Sequence, residues 1–260
     1  MEQRVTIAIA DGIADVRLAR ADKMNALDPA MFAGIRDALA TLAATPGLRV
    51  VVLSGKGRAF CAGLDMASMA GGGSGIDLND RAHGPANLPQ HVAWGWRTLP
   101  VPVIAAVHGV AMGGGLQVIA GADIRIAHPA TRFSIRELHW GIVPDMAGVA
   151  LWRGAVRDDH VRELTYTARE FDGVEAERMG FVSRLAENPH AAAMEMARAI
   201  AGRHPQAVQA AKRLFALAYD EGAEAILLAE TAEQLRVMGT ANQREQVRAH
   251  LEKRTAVFTD

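Results

Sequence analysis

Cysteine is all but missing from this chain of 260 residues: Cys61 stands alone. One thiol excludes an intrachain disulfide and any cysteine-based zinc cluster. Charge of one sign is lacking too, because 28 Lys and Arg nearly balance 29 Asp and Glu. The net charge of −1 offers no general attraction for nucleic acid or an anionic membrane. No basic tail or aromatic–basic interleaving of the kind nucleic-acid grooves use is present. No apolar run approaches the ~20 residues that span a bilayer. Met1-Glu2-Gln3-Arg4 does not begin a signal peptide pattern. The expectation is a cytoplasmic protein with no nucleic-acid or membrane partner. Half of the residues are hydrophobic, enough for a large core and too many for a disordered chain.

The pattern along the chain is α/β. Val5 to Ala10 and Ile13 to Leu18 are β-rich runs joined by Asp11-Gly12, a hairpin signal. A helix is predicted from Pro29 to Ala44, with Asp28 as cap, Pro29 in the first turn and Pro46-Gly47 as the stop. Leu48 to Leu53 is a nearly continuous apolar run, read as a buried strand. Strand, helix and strand then recur at Val101 to Val107, Gly113 to Ala122 and Ile124 to Ala127. This alternation predicts much parallel pairing. Helices are expected over Pro189 to Gly202, Pro205 to Tyr219 and Ala223 to Met238. The expected division is an α/β catalytic core over residues 1–190 and a helical region over 191–260. Ala70-Gly71-Gly72-Gly73-Ser74-Gly75 reads as a mobile loop, either a tolerated insertion or a flap near a site.

Chemistry concentrates in two glycine-bearing turns that follow strands, Arg58 to Asp65 and Val107 to Gln117. Consecutive glycines let a ligand approach the backbone closely. Unpaired amides at a helix N-terminus stabilise negative charge, so one amide from each turn would make an oxyanion hole. Gly113-Gly114-Gly115 alone is equally compatible with a phosphate loop or a packing requirement; the dinucleotide fingerprint fits poorly and the P-loop pattern is absent.

Taken together, six segments carry a specific likeness: Lys23 to Leu27, Ala59 to Gly63, His108 to Gly115, Ala122 to Arg125, Gly141 to Pro144, and Leu251 to Arg254 with Phe258. In this order the chain resembles the enoyl-CoA hydratase/isomerase family, also called the crotonase superfamily. The resemblance implies a spiral of repeated ββα units followed by helices used in trimerisation, as a homotrimer or a dimer of trimers. It implies an acyl-CoA substrate and no cofactor or metal beyond the coenzyme A moiety. It places the oxyanion hole on the Leu64 and Gly114 amides. The coenzyme A site falls near Lys23, Ala26, Ala62 and Asp65, with Lys253 and Phe258 contributing from the C-terminal region.

Family hydratases use two glutamates to add water, and by motif these fall on Gln117 and Glu137. An amide hydrogen-bonds but does not exchange protons near neutral pH, and acid–base catalysis contributes roughly 10²–10⁴-fold in rate. Ordinary hydration should therefore be slow. Glu137 with Asp145 is instead similar to the pair in dienoyl-CoA isomerases. There Asp145 would remove a proton from the acyl chain and Glu137 would return one elsewhere, although those isomerases carry a further acidic residue at the Gln117 position. Family dehalogenases use a nucleophilic aspartate at the Asp145 position but carry tryptophan at that of Glu137. The reading is double-bond isomerisation, ahead of hydration by Glu137 alone or acyl-CoA binding with feeble turnover. Structural readings stand beside these: Asp145 as cap of a helix beginning near Met146, and Glu137 in a surface pair with Arg136 or Arg125. Trp94, Trp96, Trp140 and Trp152 are candidates for acyl-pocket walls or core. His139 reads as packed or exposed, and Cys61 as a buried thiol.

Overall fold

The computed structural model describes residues 3–69 and 76–259. The glycine-rich loop expected at residues 70–75 lies outside the described residues. The chain opens with strands β1 (Val5–Ala10) and β2 (Ile13–Leu18), paired antiparallel in the register Ala10↔Ile13. Their two-residue turn needs positive φ, and Asp11 and Gly12 supply it at 53° and 74°. Helix α1 (Pro29–Ala43) follows, its first turn capped where the Asp28 carboxylate accepts from the Met31 amide at 2.7 Å. Met31, Phe32, Ile35, Ala38, Leu39 and Leu42 recur at helical spacing on its buried face.

The next elements are β3 (Val50–Gly55), α2 (Met66–Met69), α3 (Leu88–Thr98), β4 (Val103–Val107), β5 (Val110–Met112), α4 (Gly114–Ala120), β6 (Ile124–Ala127) and β7 (Arg132–Ser134). After them come α5 (Gly148–Trp152), α6 (Asp158–Thr167), α7 (Gly173–Met179), β8 (Arg184–Leu185), α8 (Pro189–Ala201), α9 (Pro205–Leu217), α10 (Ala223–Val237) and α11 (Ala241–Leu251). The main sheet has the order β1-β2-β3-β4-β6-β8, parallel from β2 onward, and β5 pairs with β7 in a small second sheet.

Period-two alternation in β3 divides its side chains between two cores. Val51 and Leu53 join the larger core with α1, α3 and α4, whereas Val50 and Val52 join a smaller one with Ile104 and Ile126. Helix α8 covers that second face through Ala193, Ala197 and Ala201. A strand buried on both faces reads as an unbroken apolar run, which is why β3 is legible in sequence. Ladder pairing begins at Val50, two residues later than the apolar run suggests, because Arg49 instead donates its backbone N–H to Gly12. Among the described residues no helix is long and apolar enough to cross a membrane.

Candidate active site

At the carboxyl edge of β2, β3 and β4 the chain leaves the sheet in three turns, the position where open α/β sheets bind ligands. Backbone pairing draws these turns together. Cys61 bridges Ala111, with Met112 N–H donating to Cys61 O and Cys61 N–H to Val110 O, both at 3.0 Å. Leu64 bridges Leu27, and Gly113 N–H donates to Ser134 O at 2.9 Å. The contact requires small residues. Gly63 adopts φ +88°, and a Cβ on Gly115 would lie 2.6 Å from Cys61 O. Among the described residues the N–H groups of Leu64 and Gly114 donate to no protein acceptor.

Both amides lie in the wall of a cavity of about 910 Å³. Apolar side chains form much of that wall, among them Phe32, Ile76, Leu78, Met112, Trp140 and Met146. Glu137 and Asp145 line the same space. Glu137 sits on a short 3-10 turn, Glu137–Trp140, and is 6% exposed. Desolvation pushes its carboxyl above the usual range, and the neighbouring Asp145 charge adds to this. Its Oε2 is buried without a protein partner among the described residues. Asp145 faces the open cavity, yet the surrounding protein displaces enough water to raise its carboxyl as well.

Neither structural alternative for these acids is realised. Helix α5 starts at Gly148 behind Ala147, with no side-chain cap, so Asp145 does not cap it. Arg136 turns to Glu170 at 2.8 Å, and Arg125 donates to the carbonyls of Phe181 and Ala122. Gln117 is fully buried behind Glu137: its amide nitrogen donates to Glu137 Oε1 at 2.5 Å, and its oxygen accepts from the Met146 and Gly148 amides.

The expected coenzyme A residues separate into two sets. Ala62 lines the cavity, Lys23 lies exposed on the turn after β2, and Ala26 is beside it, 8% exposed. Asp65 accepts from Arg20 at 2.6 Å, and the same guanidinium donates to Ala26 O and lies 3.5 Å from Asp28. Lys253 and Phe258 lie apart from these residues within the chain. Phe258 packs on His204 and Arg49, at the amino edge of the sheet, and Lys253 is exposed just beyond α11. The tail is held there by Asn242, which exchanges hydrogen bonds with the Thr259 backbone, and by Glu245, which accepts from Val257 N–H.

Of the tryptophans, Trp140 lines the cavity and is 52% exposed, Trp96 and Trp152 belong to the core, and Trp94 packs against it. His139 is exposed and meets Trp140 edge-on. Burial pushes the Cys61 thiol up to about 12, so it is inert as a nucleophile. Among the described residues no group of three His, Cys, Asp or Glu side chains is placed to hold a metal ion. Sequence reading missed the role of Arg20 and the Met146 and Gly148 amides. Only the nearness of Arg20 to the Lys23 segment pointed to the first, and no local signal marked the second.

Comparison with known proteins bears on the family and the fold. The model of the family described as enoyl-CoA hydratase/isomerase matches residues 8–260. The "Probable enoyl-CoA hydratase echA12" of Mycobacterium bovis is 34% identical over 256 residues, covering 95% of this chain and 90% of that protein. A peroxisomal Delta(3,5)-Delta(2,4)-dienoyl-CoA isomerase of Arabidopsis thaliana is 33% identical over 173 residues, 64% of this chain and 62% of its own. The crystal structure of an enoyl-CoA hydratase from Bacillus anthracis superposes with a TM-score of 0.88 at 27% identity, covering 98% of this chain and 99% of the other.

Proposed function

The chain belongs to the enoyl-CoA hydratase/isomerase family, and we propose that it moves double bonds along the acyl group of a coenzyme A thioester through an enolate. The thioester oxygen sits between the Leu64 and Gly114 amides, which carry its developing negative charge. Asp145 takes a proton from the acyl chain, and Glu137 returns one at another carbon. The nucleotide end lies over the Lys23, Ala26, Ala62 and Asp65 region. The reaction needs no cofactor beyond the coenzyme A of the substrate.

One observation carries the choice of isomerisation: the Gln117 amide is spent on Glu137 and two backbone donors. It is therefore not a second proton-exchanging group, and among the described residues Glu137 and Asp145 are the carboxyls on the cavity wall. Hydration by Glu137 alone is the second reading, favoured by the hydratase name of the Mycobacterium bovis relative. Acyl-CoA binding without turnover is the third. Assembly as a trimer or a dimer of trimers is part of the proposal. It is supported by large apolar side chains exposed on α9, α10 and α11, including Phe215, Leu228, Leu235 and Leu251.

The deciding experiment is incubation with a 3,5-dienoyl-CoA and a 2-enoyl-CoA in heavy water, followed by ultraviolet absorbance and mass spectrometry. A shifted diene without added water, lost in Glu137→Gln, supports isomerisation. Rapid water addition to the 2-enoyl substrate selects hydration. Binding with silence on both selects the third reading.

A further inference from the structure

We propose that Gln117 is the positioning residue of this site: its amide ties Glu137 to the chain entering α5 and leaves Glu137 only Oε2 for proton exchange. This rests on the reading of Glu137 as an acid–base group given above.

The direction of the amide follows from its partners. Met146 N–H and Gly148 N–H, both at 2.9 Å, converge on one Gln117 atom. Two converging backbone donors form a concave nest that accepts an oxygen and repels an NH₂ group. The residue between them, Ala147, adopts φ 66°, the left-handed turn such a nest uses. Gln117 Oε1 therefore faces the nest and Nε2 faces Glu137, where it donates to Oε1.

A carboxyl group held this way is not symmetric. Oε1 is engaged by the amide and packs close to Gly113, where an added Cβ would lie 3.4 Å away. Oε2 has no protein partner among the described residues. The proton arrives and departs at Oε2, and the amide donor supports the charge left on the carboxylate. The same amide oxygen fixes the start of α5, just after Asp145, so one side chain holds the places of both acids.

The charged surroundings are simple. Asp145 faces Glu137 from the segment before α5 and opposes its ionisation. Arg136, next in sequence, is turned to Glu170, which also pairs with Arg132 of β7. Exposed His139 lies on the same 3-10 turn.

The test is titration of the Glu137 carboxyl by carbon-13 NMR in the full chain, assigned by its loss in Glu137→Gln, alongside the pH profile of turnover. In Gln117→Met, which keeps volume and removes the donor, the Glu137 midpoint moves upward. In the same variant kcat falls by about tenfold or more while KM changes little. In Gln117→Glu the nest still takes one oxygen. The other, while protonated, donates to Glu137 as the amide does. That variant works at low pH and loses activity as the shared proton leaves, so its alkaline limb carries a second titration that the wild type's lacks. Gly148→Ala, whose Cβ would lie 2.7 Å from Gln117 Oε1, disturbs the same link without removing a polar group and lowers kcat in parallel. An unmoved Glu137 midpoint in Gln117→Met, or identical pH profiles for the Met and Glu variants, would overturn the positioning role. If the midpoint moves but Glu137→Gln turns over like the wild type, the acid–base reading of Glu137 fails while the link stands.

Discussion

Gly63 and Met112 approach so closely that a Cβ on Gly63 would lie 2.7 Å from the Met112 carbonyl oxygen. The two residues belong to the turns that present the Leu64 and Gly114 amides. A side chain at position 63 must push these turns apart or abandon φ +88°. Gly63→Ala is expected to lose turnover by about 10²-fold or more, the scale of removing one oxyanion donor. Acyl-CoA binding, read by calorimetry on the folded variant, should weaken much less. Unchanged kcat in a folded Gly63→Ala protein would remove Leu64 from the oxyanion hole.

The two acids on the cavity wall predict a bell-shaped dependence of kcat on pH. Asp145 must be ionised to take a proton, and burial raises it from its ordinary 3.8. Glu137 must be protonated to give one, and burial raises it from 4.5. Rate should climb as Asp145 deprotonates and fall as Glu137 does, with both limbs above the ordinary carboxyl range. Glu137→Gln should lower turnover by roughly 10²–10⁴-fold. A rate that stays level through the alkaline range would exclude Glu137 as the proton donor.

Glu137 also predicts a cost in stability. Its folded-state proton is held more tightly than its unfolded-state proton, because burial raises the folded value. The associated stability is fully present below the unfolded value and is lost as pH rises through the folded one. Glu137→Gln removes this loss and should melt higher than the wild type at neutral pH, with the gain shrinking toward pH 4. Calorimetry across that range measures it. A variant that melts lower at neutral pH would mean the carboxylate is stabilised where it lies.

Arg20 predicts a different failure. Its guanidinium joins Asp65, Asp28 and Ala26 O at the edge of the expected nucleotide site, with side-chain exposures of 12%, 14% and 10% for Arg20, Asp65 and Asp28. Asp28 keeps Arg4 at 3.0 Å, but Asp65 loses its 2.6 Å contact with a shielded guanidinium, so Arg20→Ala should destabilise the fold by about 3 kcal/mol. In the fraction that remains folded, KM for the thioester should rise more than kcat falls. Denaturant unfolding and steady-state kinetics separate the two effects.

Much of this architecture is local in origin and so can be read from sequence. Asp11-Gly12 makes its hairpin, Asp28-Pro29 starts α1, and doubly buried β3 shows as an apolar run. The turns at Ala59 to Gly63 and His108 to Gly115 are legible through their glycines. Gln117 is not, because its partners lie 20, 29 and 31 residues away and meet it only in the folded chain. The capping role considered for Asp145 has the same explanation: a distant side chain takes the amides that a local cap would have used. Within the chain, the tail that carries Lys253 and Phe258 is bound by Asn242 and Glu245 of α11, an attachment that motif spacing does not contain.

Helix α8 has a consequence for biosynthesis. It is the element that covers Val50, Val52, Ile104 and Ile126, yet it ends at Ala201, some 150 residues after the first of those strands has been made. On the ribosome, the sheet forms with one apolar face bare until α8 has emerged. Long-range closure of this kind is slow and leaves sticky surface exposed during synthesis. A chain arrested before Pro189 should therefore aggregate or bind a chaperone, and the small alanines of α8 let the late-arriving helix seat flat against strands already in place.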